Sequence, residues 1–256
     1  MVKILSFSEY LFESSSQTSN DLINSFKNAI KTTQAEESPR GSNKGPKVEP
    51  LLKGVGAAPG APWCVAFVHG VLNKTKFSQD IKSQIPKDAA VKYHWERTKA
   101  KKITYKPGMD PKNILPGMVF CYLSKDKKTG TYPGHGHTGI VLSVDKEKRE
   151  WTGIEGNTNP LDGGREGYGT FIVTRKIDDP SISKDKKDHP SKPLGFIDYF
   201  SSHRKNPEFT KTFSENLKRL RDDLRPKTNK EIAYLKANPG VLKDYENNYN
   251  NRNKSK

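Results

Sequence analysis

Apolar positions divide the chain into three unequal stretches. In the first, Ile4, Phe7 and Leu11, with Leu5 and Phe12 beside them, recur at helical spacing and predict a short amphipathic helix over residues 2–13. A polar run of Ser, Gln, Thr and Asn occupies residues 14–20, and Leu22, Ile23, Phe26 and Ile30 mark a second short helix over 21–33. From Thr33 to Pro50 the chain is Glu, Ser, Pro, Gly and Lys, which reads as a linker. The pattern then changes. After Pro59, Gly60 and Pro62, the run Cys64-Val-Ala-Phe-Val-His-Gly-Val-Leu72 predicts an apolar helix. Short apolar runs follow at Gly117–Leu123, His137–Val144, Trp151–Asn157, Tyr168–Thr174 and Phe196–Phe200, and each reads as a strand. A helix followed by a meander of antiparallel strands is an α+β layout. Beyond Ser201, Glu208–Arg225 and Asn229–Tyr245 have helical character, while Asn247–Lys256 is polar enough to be disordered. The expected organisation is therefore an N-terminal amphipathic segment and linker over 1–50, a compact domain over 51–200, and a basic helical extension over 201–256.

Composition supports a compact middle with solvated ends, because only 32% of the residues are hydrophobic and 29% are charged. A net charge of +16 implies attraction to a polyanion, nucleic acid or the phosphate-rich polymers of a bacterial surface; alternatively it reflects only solubility and Lys/Asn-rich composition. No nucleic-acid-binding signature accompanies the charge, and acidic residues are scattered among the basic ones, so no specific nucleic-acid partner is expected. No run approaches the ~20 apolar residues of a membrane span, and the N-terminus, broken by Ser6, Ser8 and Glu9, does not read as a signal peptide. Two cysteines are too few for a disulfide framework, and neither metal-ligand spacing nor a phosphate loop is present, so no metal and no cofactor are expected.

Candidate chemistry centres on Cys64. A cysteine that opens a helix lies beside unpaired backbone N–H groups and the positive end of the helix dipole, which favours the nucleophilic thiolate. The competing reading is a small buried hydrophobe. Cys121, between Phe120 and Tyr122 in a strand, is expected to be structural. Of the six histidines, His137 begins an apolar strand after Gly134-His-Gly136 and is the favoured general base, with His135 its competitor. His69 lies on the same helix as Cys64 at the wrong angle, and His94, His189 and His203 sit in polar surroundings. Glu155 lies across the hairpin from His137, with Asn157 two residues on and expected on the same face; either can orient the imidazole. Trp63, Trp151 and Tyr168 are candidates to line a substrate groove, though aromatic residues beside a site are more often core.

Three segments also carry a resemblance. Pro62-Trp-Cys-Val-Ala-Phe-Val68, Gly136-His-Thr-Gly-Ile-Val141 and Ile154-Glu-Gly-Asn-Thr158 resemble, in order and spacing, the motifs of CHAP amidase/peptidase domains, relatives of the NlpC/P60 hydrolases in the papain-like group. Gly163–Phe171 resembles the turn and strand that follow in phage-encoded members. The resemblance covers about residues 50–200. It implies a papain-like fold and peptidoglycan as substrate, cut at an amide bond through a thioester acyl-enzyme. By position it makes Cys64 the nucleophile, His137 the base, Glu155 the orienter, and Asn157 a second orienter or a border of the oxyanion site. It departs from the family in Pro116-Gly-Met118, where an acidic residue usually stands, and in lacking acidic residues over 51–63, where some members bind calcium. The expected setting is a phage virion or the host cytoplasm before lysis, with virion tail or baseplate proteins as further partners of the extensions. The alternative is a non-catalytic virion docking protein on the same scaffold. Which wall bond is cut stays open.

Overall fold

A computed structural model describes residues 7–126, 129–161, 167–178 and 191–241, with 243, 244 and 247, and side chains from residue 19 onward. Six helices are α1 (Phe7–Thr33), α2 (Val48–Gly54), α3 (Cys64–Lys74), α4 (Gln79–Lys82), α5 (Val91–Arg97) and α6 (Pro207–Ala237). Six strands are β1 (Lys101–Thr104), β2 (Val119–Ser124), β3 (Gly136–Asp145), β4 (Glu150–Thr158), β5 (Gly169–Lys176) and β6 (Ser191–Asp198). The strands form one antiparallel sheet in the order β1-β6-β2-β3-β4-β5, so the architecture is α+β as the pattern predicts. No helix among the described residues is long and apolar enough to cross a membrane.

The sheet is covered on both faces. Cys121, Ile140, Leu142, Ile154 and Ile172 join α1, α3 and α6 in the main core. Residues of opposite parity, including Phe120, Tyr122, Val141, Trp151 and Phe196, pack with Met109, Ile114 and Met118 on the other face. This double burial explains why Val119–Leu123 is continuously apolar rather than alternating. It also explains α3, whose residues Cys64–His69, Val71 and Leu72 are all buried because the helix is sandwiched between α1 and the β3–β4 hairpin. Strand β1, Lys-Lys-Ile-Thr, carries no apolar alternation and was not expected. It is a short, lysine-bearing edge strand, the composition that discourages further pairing.

Both extensions differ from expectation. The polar run 14–20 does not interrupt α1, since it contains neither Gly nor Pro and the helix is continuous across it. The face proposed for residues 2–13 lies outside the described side chains. Two C-terminal helical segments were expected, at Glu208–Arg225 and Asn229–Tyr245, yet one helix, α6, joins them through Pro226. An interior proline costs ~3 kcal/mol, and here burial on both sides of it opposes that cost: Phe209, Phe213, Leu217 and Leu220 before it, Thr228 and Leu235 after it. Most of Asn247–Lys256 lies outside the described residues. Phe26 of α1 and Phe213 of α6 meet edge-to-face at 5.6 Å, and both touch Phe200. The expected linker is not one either. Between α1 and α2 the chain buries Glu37 and Asn43, and Glu36 bridges to Gly169 at the end of the sheet.

Since the two ends of the chain share one apolar core, Phe213→Ala is expected to lower the stability of the whole protein by about 3–5 kcal/mol. Denaturant unfolding followed by tryptophan fluorescence should still give one transition. A second transition, with the sheet unfolding at its original midpoint, would show α6 to be an independent appendage.

Candidate active site

The position of Cys64, the candidate nucleophile, is built by the segment just before it. Trp63 ends the Pro-rich turn, and its indole Nε1 donates to the Glu37 carboxylate at 2.9 Å. The other Glu37 oxygen accepts from the Asn43 backbone N–H at 3.0 Å, while Asn43 Nδ2 donates to the Gly60 carbonyl at 3.1 Å. Glu37, Asn43 and Trp63 are all buried. Together they clamp residues 60–63 and set where α3 begins. Cys64 follows at the first helical position, in the turn whose backbone N–H groups have no intrahelical partner. Its Sγ lies 3.9 Å from the carbonyl oxygen of Gly136, the residue before His137, so the sulfur abuts the start of β3. Cys64 is only 4% exposed.

Close approach of α3 to the sheet depends on Gly156. A Cβ there would fall 2.5 Å from Phe67 Cβ and 2.8 Å from the Trp63 ring. The Glu-Gly-Asn motif therefore keeps its central residue free of a side chain for packing, and Glu155 remains beside the histidine.

His137 Nε2 and Glu155 Oε2 are 2.8 Å apart, and both side chains are fully buried. A carboxylate only accepts, so Nε2 carries the proton and the neutral imidazole keeps its lone pair on Nδ1, the form a general base needs. Glu155 has a second partner that the sequence reading did not include. Arg175 of β5 donates from Nε to Glu155 Oε1 at 2.9 Å and from Nη2 to Oε2 at 2.6 Å. This two-point geometry fixes the carboxylate plane. Burial pushes the Glu155 carboxyl upward, but the Arg175 charge and the His137 bond outweigh it and hold it below the ordinary carboxylate range. The Arg175 guanidinium lies 5.7 Å from the Phe120 ring centre and 6.0 Å from that of Trp151, which shield the network from water.

Asn157 differs from expectation. A register shift between Glu155 and Thr158 and a left-handed backbone at Asn157, φ 56°, make a bulge, so it does not continue the face of Glu155. Its side chain is buried, and no hydrogen bond joins it to His137. Of the two candidate orienters, Glu155 makes the bond. His135 lies exposed in the preceding turn, its carbonyl accepting from Ser124 N–H at 2.9 Å. Cys121 is fully buried, and burial pushes its thiol up to about 12, as suits a structural residue.

The three aromatic residues expected to line a groove do not. Trp63 is wholly buried against Glu37, and Trp151 is packed 4.5 Å from Phe120 beneath the sheet. Tyr168 is 1% exposed, with its hydroxyl donated to Glu231 at 2.7 Å and Arg40 over its ring. Large rings next to a site satisfied the demand for core volume instead.

Removing Arg175 leaves a buried carboxylate against a single partner. Arg175→Ala is expected to lose about 3–5 kcal/mol at neutral pH. The depressed Glu155 ionisation stabilises the fold above the unfolded carboxyl value of ~4.3 and is lost as pH falls through the lower folded value. The gap between wild type and variant should therefore narrow below about pH 4. Chemical denaturation from pH 3 to 7 measures this, and a gap independent of pH would assign Arg175 a packing role only.

In comparisons with known proteins, no curated protein and no solved structure matches the chain. The model of one family does match, over residues 56–157, a span that includes Cys64, His137, Glu155 and Asn157 but ends before Arg175; it is the CHAP domain.

Proposed function

Given a chain that carries a CHAP domain, a class associated with amidase-type hydrolysis of peptidoglycan, we propose that this protein cleaves an amide bond of the bacterial wall with Cys64 as nucleophile. The observation that carries the proposal is the His137–Glu155 bond at 2.8 Å, with the Cys64 sulfur against the residue preceding that histidine. His137 takes the thiol proton on Nδ1, and the Cys64 thiolate attacks the carbonyl carbon. The first-turn amides of α3 stabilise the resulting oxyanion. The imidazolium, held by ionised Glu155, returns its proton to the departing amine and leaves a thioester on Cys64. Water activated by His137 then attacks that thioester and frees the thiol. Glu155 stays charged throughout, because Arg175 stabilises its anion. The amide can belong to the stem peptide, a crossbridge or the muramoyl–alanine link.

The phage-type resemblance of residues 163–171 supports a phage-encoded protein acting at lysis or from a virion, with the tail or baseplate as neighbours; these residues lie in part outside the described structure. The near-complete burial of Cys64 favours a second reading, wall binding without cleavage.

Incubating wild type, Cys64→Ala, His137→Ala and His135→Ala with peptidoglycan of several wall types, and identifying the fragments by mass spectrometry, separates the readings. Cys64→Ala and His137→Ala are expected to lower the rate by about 10⁴-fold or more, while His135→Ala retains most of it. Release of no fragment by wild type on any wall, with retained binding, would favour the docking reading. Loss of activity in His135→Ala alone would reassign the base.

A further inference from the structure

At the far end of α3 lies a cavity of about 670 Å³ between α1, α2, α3 and α4. His69 and Asn73 bring α3 to its wall, five and nine residues past Cys64, or about 8 and 14 Å along the helix axis. Its rim carries Lys74 of α3, Lys82 of α4, Lys47 from the turn before α2 and Lys87 from the loop after α4, and no carboxylate lines it. Among the described residues none of the four lysines forms an ion pair; Lys74 reaches only the Thr32 carbonyl, at 3.4 Å. Thr33, also in the wall, is 3% exposed, and its hydroxyl has no hydrogen-bond partner. Four exposed lysines around one cavity, with no carboxylate in its lining, make its mouth attractive to an anion. The cavity at the β3–β4 turn makes the contrast, since Asp145, Glu147 and Glu150 stand among its five basic residues.

We propose that this cavity is a second binding site, which takes a phosphodiester-linked polyol chain of the bacterial wall. Four cations suit a ligand with repeated charge better than a single carboxylate, and lysines serve phosphates as point charges. No Phe, Tyr or Trp lines the cavity, so it lacks the stacking platforms by which single-stranded nucleic acid is held. The choice of a wall polymer rests on the wall-hydrolase reading; the capture of an anion does not. A site here anchors the enzyme to wall phosphate while the other end of the same helix presents the nucleophile.

The test is calorimetric titration of full-length Cys64→Ala, which removes turnover, with poly(glycerol phosphate) oligomers, a neutral N-acetylated glycan and an oligothymidylate, at two salt concentrations. The polymer is expected to bind more tightly than either competitor and to weaken with salt. Adding Lys82→Glu and Lys87→Glu should reduce its affinity about tenfold or more. Adding Lys101→Glu and Lys211→Glu, an equal change of charge at exposed positions outside the cavity, should leave it within about twofold. Equal losses from the two pairs would overturn the site in favour of diffuse attraction to the net charge. Polymer binding no tighter than the neutral glycan would also overturn it, and tighter binding of the oligothymidylate would replace the wall polymer with nucleic acid. Cleavage by wild type is scored separately, so failure of the hydrolase reading and failure of this site give different results.

Discussion

The buried chain of charge from Arg175 through Glu155 to His137 is the interaction around which the rest of the molecule is arranged. An isolated carboxylate in this position would be forced to neutralise, because it sits beneath two aromatic rings with no access to water. A guanidinium at two-point contact makes the ion tolerable, and the ion in turn decides which imidazole nitrogen holds the proton. Three adjacent strands must therefore be in register before the base exists in its working tautomer. Replacing such a pair with apolar residues is often neutral or favourable for stability alone. What the pair does beyond stability is to fix which ring nitrogen of His137 donates.

Cys64 depends on an analogous arrangement at the other side of the candidate site. A helix start is a sensitive place for a reactive sulfur, since a shift of one residue rotates it by about 100°. Glu37 and Asn43, bonded to each other, hold the turn before Cys64 at two points, the Trp63 indole and the Gly60 carbonyl, and Gly156 allows the helix to settle against β4. Glu37 and Asn43 of the N-terminal segment thus belong to the site's architecture.

Much of this was legible in the sequence. Strands β2 to β5 and helix α3 stand close to their expected positions, because apolar runs bounded by Gly, Pro and Asp are strong local signals. The pairing of His137 with Glu155 was legible from the hairpin that sets them on neighbouring strands, and Cys64 stands at the start of α3 as its Pro-rich approach suggested. What escaped notice has physical reasons. Arg175, in Val-Thr-Arg-Lys, has the look of a solvated strand end; its register partner is Trp151, and nothing local reveals that its guanidinium reaches along β4 to a buried acid. Glu37 lies in a stretch of Ser, Pro, Gly and Lys whose composition suggests a flexible connection, yet two hydrogen bonds and burial override composition. Asn157 was misplaced because alternation assumes a regular strand, and a bulge breaks the count. The aromatic residues were assigned to substrate because ring chemistry suits sugars and peptides equally well as it suits a core.

Strand order carries a consequence for biogenesis. β6, the last strand in sequence, lies between β1 and β2. As the chain leaves the ribosome, the β2–β5 meander can pair locally and bring His137, Glu155 and Arg175 together early. β2 then presents a naked edge until residues 191–198 emerge, and such an edge recruits foreign strands. The nascent protein must cross an interval in which its proton-handling apparatus is assembled while its sheet is unsealed. The first turns of α6, which set Phe209 and Phe213 against Phe200 and Phe213 against Phe26, follow β6 in the chain and cover the core only after it.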